Sequence, residues 1–218
     1  MTGPQIQTIV SEPFSENTYV VWLEGRRDAI VVDPGLEPEL ILEFLAQHEL
    51  RPAAILNTHG HADHIGGNAA LKQAFPEAPI VIGENEKHLL TDPEANLSAP
   101  FGMPIVSPPA DQTVREGETI AFAGMEFEVL EIPGHSPGHV VYVHRTTPIL
   151  ILGGDVLFRG SVGRTDFPGG SFDTLARGIR TKLFPLPGDS DVYPGHGPVT
   201  TTGHEKRTNP FVGEGDGQ

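Results

Sequence analysis

His59-Gly60-His61-Ala62-Asp63-His64 places three imidazoles and a carboxylate within six consecutive residues. The residues just before it, 53–56, read Ala-Ala-Ile-Leu, a short apolar run that predicts a strand, and Asn57-Thr58 ends it. In an extended segment alternate side chains point the same way, so His59 and His61 can converge on one ion. Asp63 and His64 come as the chain turns toward a helix predicted over 68–75, and can address a second ion nearby. Imidazole nitrogen and carboxylate oxygen suit zinc, iron and manganese alike. Gly60, Gly66 and Gly67 let the backbone fold closely around such ions. A solvated loop accounts for one histidine, but not for three with an aspartate directly after an apolar strand.

Three further positions supply the ligands that two metal shells require. His135 lies in Ile132-Pro133-Gly134-His135-Ser136-Pro137-Gly138-His139, after a strand predicted over 126–131. Asp155 closes Ile151-Leu152-Gly153-Gly154-Asp155, and His196 lies in Tyr193-Pro194-Gly195-His196-Gly197-Pro198. All three follow one grammar of apolar strand, glycine, then a ligand-type residue. An aspartate at the end of a buried strand needs a partner, and a cation is the natural one. Asp33, in the turn Asp33-Pro34-Gly35, reads as a group that orients a ligand imidazole or as a turn cap. His139 repeats the Pro-Gly-His spacing and reads as a structural hydrogen-bonding neighbour of the site. His48, His88, His144 and His204 read as surface or satisfied histidines, and Lys206 and Arg207 as a solvated face.

Short strands and helices alternate along the chain. Strands are predicted over 6–10, 19–23, 29–32, 80–82, 119–122, 140–144, 149–152 and 191–193. Helices are predicted over 39–48, where Leu40, Ile41, Phe44 and Leu45 have helical spacing, and over 85–90 and 172–183. Residues 92–109 hold five prolines and no periodicity, which predicts a long loop. It serves either as a solvated connection or as a cover over substrate. The strands fall into two batches, each followed by helices. That pattern predicts two sheets sandwiched between helices in one domain, residues 1–212, with a flexible tail over 213–218.

Composition bounds the function. With 14 Lys and Arg against 29 Asp and Glu, the net charge of −15 disfavours nucleic acid and anionic membranes as partners. The absence of cysteine excludes disulfides, iron–sulfur clusters and cysteine-ligated zinc. The first residues show no signal-peptide pattern, and no apolar run is long enough to span a bilayer, so the expected location is cytoplasmic.

Taken together, these motifs resemble the metallo-β-lactamase superfamily, and within it the small single-domain bacterial proteins similar to glyoxalase II, the hydroxyacylglutathione hydrolases. The resemblance runs from Asn17-Thr18-Tyr19-Val20-Val21 through Val31-Val32-Asp33-Pro34-Gly35 to His204-Glu205-Lys206-Arg207-Thr208-Asn209-Pro210-Phe211. It implies an α/β fold, a four-layer αββα sandwich with the site along one edge of the sheets. It implies one ion held by His59, His61 and His135, a second by Asp63, His64 and His196, and Asp155 bridging them. The implied cofactors are two divalent ions, zinc first, with iron or manganese as alternatives. The implied activity is hydrolysis of a small-molecule thioester such as S-lactoylglutathione by water activated between the ions, with Asp63 and Asp155 catalytic.

Only 22 residues follow His196, so a C-terminal helical domain like that of larger glyoxalase II enzymes is not expected. Where that family carries a lysine–tyrosine segment, this sequence has Gly163-Arg164-Thr165-Asp166-Phe167, and Arg164 is the expected contact for a substrate carboxylate. The same string resembles persulfide dioxygenases, which share the fold and use one iron. In that alternative the ligands would be His59, His135 and Asp155. A lactonase or β-lactamase-type hydrolase is the remaining alternative.

Overall fold

A computed structural model describes residues 3–215. The chain forms two compact units: residues up to Val114 with Ala121–Met125, and Arg115–Ile120 with the chain from Glu126 onward. The first contains β1 (Gln5–Ser11), β2 (Glu16–Trp22), β3 (Asp28–Val32), α1 (Pro38–Gln47), β4 (Arg51–Leu56), α2 (Ala62–Ile65), α3 (Asn68–Ala74), β5 (Ile80–Gly83) and β6 (Gln112–Val114). Its six strands form one sheet in sequence order. β1, β2 and β3 pair antiparallel, whereas β3 through β6 pair parallel.

Strands β3, β4 and β5 read as apolar runs because residues on both their faces are buried. One face joins Val31, Ile55 and Ile80 to Ile41, Leu45, Ile65 and Leu71 from the helices. Pro38 opens α1, where its fixed φ suits the first helical turn. Ile41 and Leu45, one turn apart, are fully buried, and each contributes roughly 1.5–3 kcal/mol. Leu40, on the opposite face, is exposed.

The second sheet has the order β14-β13-β10-β9-β8-β7. Its strands are β7 (Thr119–Phe122), β8 (Met125–Glu131), β9 (Val140–His144), β10 (Leu150–Gly154), β13 (Asp191–Pro194) and β14 (Thr200–Thr201). A hairpin of β11 (Leu157–Phe158) and β12 (Ser161–Val162) leaves the end of β10. α4 (Phe172–Gly178) and α5 (Thr202–Thr208) complete this unit. Val141, Val143, Ile151 and Val192 pack with Leu175, Ile179 and Leu183.

The sheets place the ligand candidates. β3 and β4 run parallel, and Asp33 and His59 follow their carboxyl ends. β10 and β13 also run parallel, and Asp155 and His196 follow theirs. In α/β sheets the carboxyl ends of parallel strands are where loops gather functional groups.

Several expectations change in detail. The helix predicted over 85–90 is a 3-10 turn, Lys87–Leu90. The helix predicted over 172–183 is α4 followed by a π-helical turn, Ile179–Leu183. α5, which was not predicted, lacks apolar periodicity because it buries Thr202, Gly203 and Glu205; it is capped by Thr201, whose hydroxyl accepts the His204 N–H. In the expected tail, Gly213 and Glu214 donate to the carbonyls of Asn209 and Lys206. Residues 216–218 lie outside the described residues.

The proline-rich loop 92–109 is knotted rather than loose. Asn96 is fully buried and donates to the carbonyls of Leu89 and Ile105, while its Oδ1 accepts from the N–H and hydroxyl of Ser98. Its own carbonyl accepts the N–H of Ala62, the residue after His61. The loop is therefore part of the platform under the histidine run.

Candidate metal centre

In the first unit His59, His61 and His64 are all buried and their rings converge. The ring centroids lie 4.6 Å apart for His59 and His61 and 4.2 Å apart for His59 and His64. Donor counting fixes two of the tautomers. Asp33 stands on left-handed backbone, φ 48°, which aspartate tolerates better than most residues. Its Oδ1 accepts the Thr58 N–H and its Oδ2 accepts the Thr58 hydroxyl, both at 2.7 Å. Having donated its proton, Thr58 Oγ1 accepts from His59 Nδ1 at 3.1 Å. His64 Nδ1 faces the same Asp33 Oδ2 at 3.2 Å. Both Nδ1 atoms are thus the protonated ones, and both Nε2 atoms carry lone pairs, the form that binds a metal. Asp63 Oδ2 lies 3.7 Å from His64 Nε2.

The Asp33 carboxylate lies within metal-binding distance of His59 and His64, but it already accepts from three donors, the arrangement of a group that orients imidazoles. Asp33→Asn would aim an amide N–H₂ at donors that now meet an acceptor. The expected result is a metal affinity about 10–100-fold weaker, read by competition against a chromogenic chelator. Unchanged affinity would reduce Asp33 to a turn cap.

In the second unit His135, Asp155 and His196 come together. His135 Nδ1 donates to the Arg164 carbonyl at 2.8 Å, which leaves a lone pair on Nε2. That Nε2 lies 3.4 Å from Asp155 Oδ2, and His196 Nε2 lies 3.6 Å from the same oxygen. His139 does not ligate by this geometry: its Nε2 accepts the Asp155 backbone N–H at 3.0 Å and so fixes the aspartate from behind. Gly163 is required here. A Cβ on it would overlap the Asp155 carbonyl oxygen and come within 3.1 Å of His135 Nδ1.

The donor set fits metal ions. A lone-pair nitrogen and a carboxylate oxygen repel each other unless a cation lies between them. A protonated imidazole would draw its carboxylate to about 2.8 Å, well inside the separations found here. Donors around a tetrahedral ion with bonds of about 2.0–2.2 Å are roughly 3.3–3.6 Å apart, which is close to the 3.4, 3.6 and 3.7 Å observed.

Arg164 is exposed. Its guanidinium pairs with both Asp166 oxygens at 2.7 Å and lies 4.0 Å over the Phe167 ring. The guanidinium holds the Asp166 carboxyl down to about 2. The string Gly134-His135-Ser136-Pro137-Gly138 also has the spacing of a serine-hydrolase elbow. It joins antiparallel strands instead of a strand and a helix, and Ser136 is fully buried, so it presents no nucleophile.

Sequence reasoning missed two groups beside the ligands. Glu16, fully buried, places Oε1 3.8 Å from His64 Nδ1. Glu86, also fully buried, accepts the Gly60 N–H at 2.9 Å and anchors the turn between His59 and His61. Both stand in polar stretches, Ser15-Glu16-Asn17-Thr18 and Glu84-Asn85-Glu86-Lys87, so no sequence signal marks their burial.

Comparison with known proteins identifies the family. The hydroxyacylglutathione hydrolase GloC of Haemophilus influenzae is 39% identical over 210 residues, covering 95% of this chain and 97% of that protein. The solved structure of BLEG-1 B3 metallo-beta-lactamase, 38% identical, superposes with a TM-score of 0.91 over 95% of this chain and 99% of its own. TTHA1623 in a di-iron-bound form is 39% identical, with a TM-score of 0.82 over 94% of this chain and 99% of its own. ETHE1 from Myxococcus xanthus is 28% identical, with a TM-score of 0.79 over 95% of this chain and 84% of its own. The family profile matches residues 11–196, a stretch that holds every ligand candidate from His59 to His196. With the expected mixed α/β fold and metal-binding groups both present, the chain belongs to the metallo-beta-lactamase superfamily, among its metallo-hydrolases.

Proposed function

We propose that the two ligand sets act as one dinuclear centre, and that its reaction is hydrolysis of a thioester of the hydroxyacylglutathione class. One ion would be held by His59, His61 and His135, the other by Asp63, His64 and His196, with Asp155 shared. The observation that carries this reading is the Asp155 Oδ2 atom, which faces His135 Nε2 and His196 Nε2 at once. That oxygen faces one imidazole assigned to each ion, which is where a carboxylate shared by both would stand. The GloC relative supports the thioester, and the di-iron neighbour supports a pair of ions. Zinc, iron and manganese all suit these donors.

Bound divalent ions would supply a water of lowered pKa and a Lewis acid for the carbonyl oxygen. The chain's own groups do the rest. Asp63, its side chain 20% exposed, can take a proton from the attacking water and release it to solvent. The Asp33–Thr58 relay holds His59 and His64 in one tautomer, and His139 holds Asp155. Arg164 is the proposed contact for a substrate carboxylate. Its pair with Asp166 is solvent-exposed, so exchanging one carboxylate for another costs little.

The test is metal analysis of protein purified without added metal, with a panel of S-lactoylglutathione, a lactone and a β-lactam. Two ions per chain and turnover of the thioester first are expected. Preference for the lactone or β-lactam would overturn the substrate class but not the centre. A second reading, a one-iron persulfide dioxygenase, is favoured by Gly163-Arg164-Thr165-Asp166-Phe167 and by the ETHE1 neighbour. One iron per chain with oxygen uptake on glutathione persulfide would establish it instead.

A further inference from the structure

The β11–β12 hairpin carries the chain from Asp155 to Arg164, whose carbonyl fixes the His135 tautomer. Its strands are two residues each, too short to hold a shape alone. A buried polar cluster in the same unit holds it. Glu205, on α5, is fully buried. Its Oε2 accepts the Gly160 N–H at 2.9 Å and the Asn209 amide at 2.8 Å, and its Oε1 accepts the Thr200 hydroxyl. Asn209, 4% exposed, also donates to the Ser161 carbonyl at 3.0 Å. Its Oδ1 receives the N–H groups of Phe211 and Val212.

These contacts converge on segments that lead directly to the ligands. Gly160 lies in the turn of the hairpin, and Ser161 begins β12. Three residues beyond Ser161 comes Arg164, and on the way Gly163 lies against the Asp155 carbonyl and the His135 ring. Thr200 begins the short strand four residues after His196. One carboxylate therefore ties the segment running from Asp155 to Arg164 to the segment running on from His196. Fixing a turn with apolar packing would have been cheaper than burying an ionised carboxylate, which costs several kcal/mol before its hydrogen bonds offset it.

We propose that Glu205, together with Asn209, is a positioning pair that sets the geometry of His135, Asp155 and His196 as metal ligands. The inference rests on the reading of those three as ligands. Glu205 touches none of them; it acts through the hairpin and through β14.

Glu205→Gln preserves the volume but can satisfy donors at only one of its two terminal atoms. The probe is cobalt(II) titrated into metal-free protein, followed by its visible absorption. Wild type is expected to bind two ions. E205Q is expected to keep its far-ultraviolet circular dichroism, to bind about 10–100-fold more weakly and to show altered band intensities. Its Gly160 amide should exchange faster with solvent. Ile179→Val, a core change in the same unit, should lower Tm yet titrate like wild type. An E205Q spectrum and titration superposable on wild type would overturn the proposal and leave Glu205 a simple brace. Should E205Q fail to fold, Asn209→Ala keeps the Gly160 and Thr200 bonds and releases Ser161. It should weaken cobalt binding several-fold, and unchanged binding would overturn the proposal equally. A wild type that takes up no cobalt would instead sink the metal-centre reading, and this inference with it.

Discussion

Asp155→Ala is expected to lose both ions of the proposed centre and, with them, the proposed thioesterase activity, by more than about 10³-fold. An outer hydrogen-bonding partner of a ligand is worth roughly 10–100-fold, and a shared ligand must be worth more. The effect comes from the position of one oxygen. Asp155 Oδ2 lies 3.4 Å from His135 Nε2 and 3.6 Å from His196 Nε2, so its removal withdraws charge from two imidazoles at once. The fold should survive, because the Asp155 backbone N–H still finds His139 Nε2 and β10 keeps its ladder. Metal analysis, circular dichroism and turnover on the same preparation check all three statements. Full turnover by the variant would refute the two-ion account.

Gly134→Ala is expected to produce the largest loss of stability. Gly134 has φ 128°, a conformation nearly closed to residues with a side chain. A Cβ there would also lie 2.6 Å from the backbone nitrogen of Leu175 and the carbonyl oxygen of Ser171. Neither backbone atom can rotate away, so the first turn of α4 would have to shift. Strain and displacement together should cost about 4 kcal/mol, near the top of the range for single substitutions. For a chain of this size that is a fall in Tm of about 8–16 °C. His135 is the next residue, and a displacement of about 1 Å there would lower turnover about 100-fold. Gly117→Ala provides the contrast. Its φ is 77° and no atom lies within 4 Å, so only about 1–2 kcal/mol of backbone strain is expected. Equal losses in the two variants would show that contact with α4 contributes nothing.

His135, Asp155 and His196 were legible because each follows an apolar strand and a glycine, and the run from His59 to His64 because it crowds four ligand-type residues directly after β4. Strands β3, β4, β5, β9 and β10 were legible because burial on both faces forces a nearly continuous apolar run, and β8 because its apolar residues alternate with glutamates. The elements that escaped are held by polar groups instead. α5 turns a threonine, a glycine and a glutamate inward, so no apolar period marks it. The β11–β12 hairpin and β14 are too short for any pattern. Glu86 and Glu205 are buried because folding brings them donors from residues 26 and 45 positions away, and Glu16 because it lies beside His64. A single sequence shows the carboxylate but not its donors. Asp33 was readable as a strand terminus, but its relay through Thr58 required three dimensions.

The knot around Asn96 also bears on how such a protein can change its diet. A loop with so many buried backbone and amide bonds near its base tolerates few alterations there, because each would disturb the Ala62 N–H that follows His61. Its outer residues carry no such duty, and Met103 and Val106 stand half-exposed or more. Substitutions are thereby expected to be tolerated best at the tip. New surface chemistry at that tip is expected to leave the platform beneath the histidines in place.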